Sequence, residues 1–113
     1  MTELLFEKEY ELLQEIGYPH NGAERKTKNV ILKAPTFKNS EKIEAACRQI
    51  DTYTAIINCI CELKLITTKE DDFAVTSALL YGLHIKTYRA LANEYCKFFL
   101  ASDSLEEENK LNN

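Results

Sequence analysis

Tyr81, His84, Tyr88, Leu91, Tyr95 and Phe98 recur at alternating steps of three and four residues, which sets six side chains on one face of a helix. Leucine would fill such a stripe without further demands. Three tyrosines and a histidine each bring a polar atom that needs a partner. Two readings follow. As core, the row packs on a facing helix and its hydroxyls reach water at the edges. As a site, Tyr81, His84, Tyr88 and Tyr95 hold a flat ligand such as a nucleotide. Its phosphate would then meet Arg25, Lys26 and Lys28 of the basic stretch ERKTKNVILK.

No other set of residues assembles a reaction centre. His20 lies beside Asn21-Gly22 with no neighbouring nucleophile, and no Ser-His-Asp, Cys-His or glycine-rich phosphate motif is present. Cys59 and Cys61, two apart on a helix, point to roughly opposite faces. Cys47 and Cys61 share a face but stand about 21 Å apart by helical rise. None of the four cysteines has zinc-ligand spacing, so they read as reduced, buried thiols. Glu41 and Glu44 form an E-x-x-E at a helix start, which resembles the metal motif of the all-α nucleotide pyrophosphatases. That family also requires an acidic pair on the next helix, where this chain offers only Glu94 beyond the first turn. The two glutamates are therefore assigned to the favourable end of a helix dipole. No catalytic residue, metal or cofactor is expected.

Bulk properties narrow the class. A length of 113 residues suits one domain with a modest core. The net charge of −4 argues against a general nucleic-acid binder, so a DNA-binding regulator ranks behind the other readings. The opening MTELLFEKEYELL lacks the basic start and apolar run of a signal peptide. No stretch approaches the roughly 20 apolar residues of a membrane span. A cytoplasmic protein with no membrane partner is expected.

The elements that must position these residues follow from spacing and caps. Residues 2–16 predict an amphipathic helix with Thr2 as N-cap, Leu5, Phe6, Leu12, Leu13 and Ile16 inward, and Gly17 as terminator. Residues 18–39 carry Pro19, Pro35 and five basic side chains, and predict an irregular basic loop. Within it Val30-Ile31-Leu32 forms a short strand or an anchor to the core. A second helix should run from the N-cap Ser40 to about Ile66, with an apolar face that includes Ile43, Ile50, Tyr53, Ile57 and Ile60. Thr67/Glu70 and Thr68/Asp71 both match the capping box, which starts a third helix reaching about Ala101. The acidic tail 103–113 should fray. The expected fold is all-α: a long antiparallel helical hairpin plus a short N-terminal helix, in one helical domain spanning residues 1–102.

That architecture leaves apolar surface over. Ile56, Leu63, Val75, Leu79 and Leu83 point away from the hairpin seam, near its turn, and a helix apolar all round is a buried helix. A short first helix covers too little of them, so they are expected to form an interface with another protein or in a homodimer. The leading functional expectation is a non-enzymatic regulatory or inhibitory protein-binding module. Size and charge also suit an inhibitor from a phage or mobile element that blocks a host protein surface or a nucleic-acid channel. The small-ligand reading of the tyrosine row is the alternative.

Overall fold

The computed structural model describes residues 6–99 and has an α+β fold, which corrects the all-α expectation. Thr2, Leu5, Ala101 and the expected tail 103–113 lie outside the described residues. The order is β1 (Glu7–His20), β2 (Ala23–Lys33), α1 (Phe37–Ala46), α2 (Thr52–Glu62), β3 (Ile66–Thr68), α3 (Ser77–Tyr81) and α4 (Ile85–Phe99). The three strands make one antiparallel sheet in the order β1-β2-β3.

Where an N-terminal helix and a basic loop were expected, the chain builds a β-hairpin. Asn21 (φ 52) and Gly22 (φ 79) both take left-handed backbone conformations. Two such residues in a row twist the turn to match paired strands, and Asn-Gly is the pair that does so most readily. On β1 the buried side chains are Leu12, Ile16 and Tyr18, an alternation of period two, whereas Leu13 is 61% exposed. Leu12 and Ile16 are four apart and so fit a helical stripe as well as a strand.

The hairpin has two halves in different register. Glu7↔Lys33 through Glu11↔Asn29 pair regularly, as do Ile16↔Thr27 through His20↔Ala23. Between them Leu12, Leu13, Gln14 and Glu15 stand opposite Lys28 alone, an extended bulge. The first half is packed by helices on its Val30 and Leu32 face, both fully buried. The second half is covered by the segment after β3. There Tyr18 stacks on Phe73 with ring centroids 5.1 Å apart, and the Thr27 hydroxyl donates to Glu70 at 2.6 Å.

The second and third expected helices are each broken in two. Thr36, rather than Ser40, caps α1, accepting the Asn39 N–H at 3.1 Å. At Cys47 the helix closes, with the Cys47 N–H donating to the carbonyls of Ile43 and Glu44. The chain turns through 48–51 before α2 begins. After α2, Lys64 (φ 59) reverses the backbone and Ile66–Thr68 joins β2. The supposed capping threonines therefore lie in a strand: Thr68 Oγ1 accepts the Phe73 N–H at 3.0 Å, and Thr67 bridges Ala74. Thr76 caps α3, which ends at Gly82. The helix restarts at Ile85, where His84 Nδ1 accepts the Lys86 N–H at 3.2 Å.

The sheet supplies the apolar cover that the helical reading lacked. Ile56 and Val75 are 4% and 1% exposed, in one core with Val30, Leu32 and Ile66. Across that core the Tyr95 hydroxyl donates to the Lys33 carbonyl at 2.7 Å, tying α4 to β2.

Candidate functional site

The breaks in the helices leave a cluster of exposed apolar side chains. Because α2 starts afresh at Thr52 and α4 at Ile85, apolar side chains at and beside these breaks are left exposed. Ile50 is fully exposed, Tyr81 is 78% exposed and Ile85 is 54% exposed. Around them lie three adjoining concavities. One, of about 400 Å³, is lined by Ile50, Asp51, Tyr53, Ile85, Tyr88 and Arg89. A second, of about 240 Å³, is lined by Thr54, Tyr81, Leu83, Ile85 and Tyr88. A third, of about 280 Å³, adds Asn58, Ser77 and Ala78. Thr54 and Tyr88 line all three, so they form one groove between α2, α3 and the start of α4.

The groove has a firm floor and a polar rim. Tyr88 is partly buried, and that burial pushes its phenol up from the usual tyrosine range, while a hydrogen bond with Thr54 acts the other way. The Arg89 guanidinium lies over the Tyr53 ring at 5.2 Å, a cation–π contact that holds both side chains along the edge. The α3–α4 joint is anchored from below by the β1 bulge. Gln14 Oε1 accepts the His84 N–H at 2.9 Å and the Thr87 hydroxyl at 3.2 Å. Without the extra residues in β1, Gln14 would not stand beneath that joint.

The residues expected to form a ligand site separate into three places. Tyr81 and Tyr88 line the groove. Tyr95 is wholly buried, and the same burial pushes its phenol well above the usual range. His84 is exposed and serves the start of α4. The basic residues stand elsewhere. Lys26 and Lys28 line a shallow concavity with Leu13, Gln14 and Glu24, and Arg25 Nε contacts Asp71 Oδ2 at 3.0 Å. The expected protein interface also divides. Ile56 and Val75 belong to the core, Leu63 and Leu79 are partly buried against it, and Leu83 alone of the five lines the groove.

Asp71 organises a second polar cluster on the hairpin. It accepts from the Tyr18 hydroxyl at 2.5 Å and lies 3.5 Å from His20 Nε2, besides its contact with Arg25. Its carboxylate is largely covered, and no serine or cysteine is among these partners, so the cluster clamps the segment 69–73 to the hairpin. Among the described residues, no group of three or more His, Cys, Asp and Glu is placed to hold a metal ion. All four cysteines are free. Burial pushes the Cys61 and Cys96 thiols up to about 12. No helix among the described residues is long and apolar enough to cross a membrane.

The sequence does not single out Ile85, and its spacing places Ile50 in the core. Gly82, which ends α3, was an available signal; the break before α2 had none, because Ile43, Cys47, Ile50, Tyr53 and Ile57 keep helical spacing across it. No protein-family model matches the chain, and no curated protein or solved structure matches it.

Proposed function

We propose that the protein is a non-enzymatic binding module that engages another protein through the groove between α2, α3 and α4. One observation carries the reading: Ile50, Tyr81 and Ile85 are exposed together around a continuous depression floored by Tyr88. Clustered aromatic and aliphatic side chains with a nearby arginine have the composition of interface hot spots. A flat-ligand role for the same tyrosines is less well supported, because the residues proposed to neutralise a phosphate lie in a different concavity or on Asp71.

The test compares affinity capture by the wild-type protein and by the double variant Tyr81→Asp/Ile85→Asp, with quantitative mass spectrometry of what is retained. Both side chains are exposed, so the variant should keep its far-ultraviolet circular dichroism and its melting temperature. A specific partner should be retained by wild type and lost from the variant. Equal retention of every captured protein by a folded variant would sink the proposal.

A further inference from the structure

β1 forms one edge of the sheet, and its pairing phase determines which backbone groups face outward. The Lys33 N–H donates to the Leu65 carbonyl at 2.8 Å, and the Lys69 N–H donates to the Asn29 carbonyl at 3.0 Å. The odd-numbered residues in this part of β2 therefore direct their amides and carbonyls towards β3. Val30 and Leu32 face the other way and bond with Tyr10 and Lys8, and the Ala34 N–H continues that phase by donating to the Phe6 carbonyl at 2.7 Å. The backbone groups of Glu7, Glu9 and Glu11 are left pointing away from the sheet. Among the described residues none of them has a hydrogen-bond partner.

The same three residues carry exposed side chains on the face opposite the Val30–Leu32 core. Free strand-edge donors and acceptors thus coincide with carboxylates spaced two residues apart. Glu9 is paired with Lys69 at 2.8 Å, while Glu7 and Glu11 have no ion pair among the described residues. We propose that the β1 edge is a strand-addition site for an extended, basic segment of a partner protein, with Lys or Arg at alternate positions, added antiparallel. Backbone pairing supplies the attachment, and the glutamates select the partner. A second copy of this chain is a poor occupant. Antiparallel pairing about Glu9 would set Glu9 against Glu9 and Glu7 against Glu11, and like charges directly opposite destabilise a sheet. This surface is separate from the groove, so either reading can fail alone.

The probe is a fluorescein-labelled peptide of alternating lysine and threonine, titrated against the full chain by fluorescence anisotropy. In the proposed pairing the lysine amides face β1 and the threonine amides face solvent. N-methylation of the lysine amides should weaken binding about tenfold or more, and N-methylation of the threonine amides should leave it nearly unchanged. Glu9→Pro removes one outward N–H at an edge position where proline is tolerated, and should weaken binding more than Glu9→Gln, which keeps it. The proposal is overturned by any of three results. The unmethylated peptide fails to bind at low salt; the two methylated peptides bind equally, which would reduce the contact to charge alone; or sedimentation shows self-association that Glu9→Pro abolishes, which would give the edge to a second copy.

Discussion

The Tyr18 hydroxyl donates a 2.5 Å hydrogen bond to Asp71, a residue 53 positions further along the chain, and so fastens the segment after β3 to the far half of the hairpin. Tyr18 is 1% exposed, and removing Asp71 takes away the acceptor that its hydroxyl uses. Asp71→Ala should therefore cost about 2–3 kcal/mol, because a charged acceptor shared by Tyr18 and Arg25 is lost. Tyr18→Phe removes the donor itself and should cost nearer about 1 kcal/mol. Urea unfolding of the two variants checks the order. A Tyr18→Phe loss equal to or larger than that of Asp71→Ala would contradict it.

The Asn21-Gly22 turn should be intolerant of side chains at its second position. Gly22 sits at φ +79 with open space where a Cβ would go, so the penalty for substitution is conformational and not steric crowding. Gly22→Val should destabilise by about 1–2 kcal/mol, and Asn21→Gly, which keeps a left-handed residue in place, should cost less. Thermal melts of both variants provide the comparison.

This turn also shows what was legible in the sequence. Asn-Gly between Tyr18 and the alternating run on β2 is a strong short-range hairpin signal, but it loses force once residues 2–16 are read as helical. Leu12 and Ile16 satisfy both periods; the deciding residue was Leu13, which a helix needs inward and the strand leaves in water. Ile56 and Val75, expected at an interface, lie in the chain's own core with Val30, Leu32 and Ile66. In the tyrosine row, Leu91 and Tyr95 are buried as a core stripe requires. Tyr81 is not, because α3 ends before α4 begins and the helical phase does not carry across Gly82–His84. Gly82 marks the break between α3 and α4, but no glycine or proline marks the one between α1 and α2, across which the apolar residues keep helical phase. The groove, which depends on both, was hidden for that reason.

Thr67 is 4% exposed and its Oγ1 has no hydrogen-bond partner. An unpaired hydroxyl in the interior costs desolvation with no return. Thr67→Val keeps the β-branched shape in β3 and removes the orphan oxygen, so it should be neutral or stabilising by about 1 kcal/mol. Chemical denaturation of this variant gives the sign directly. A clear loss of stability would mean that the hydroxyl is paired in solution.

Stability should fall in alkali. Burial raises the Cys61 and Cys96 thiols from the ordinary value of 9.0 to about 12, and Tyr88 and Tyr95 are also held protonated above their ordinary value. Over that interval the folded chain binds more protons than the unfolded one, so unfolding becomes easier as pH rises. The thiol contribution is complete below about pH 9 and is lost progressively up to about pH 12. Urea midpoints measured across this interval should decline. In Cys61→Ala, weakened at every pH by the cavity it creates, the decline should be shallower.

The position of β3 in the chain has a consequence for synthesis. β1 and β2 are synthesised before both α1 and α2, but the third strand of their sheet, residues 66–68, follows those helices. Until that point a two-stranded hairpin, marginal by itself in water, holds Val30 and Leu32 without their final neighbours. Completion of the sheet thus waits until residues 66–68 have been made. The nascent chain meanwhile displays an unfinished, sticky surface, during the period when a chaperone or a partner could first engage it.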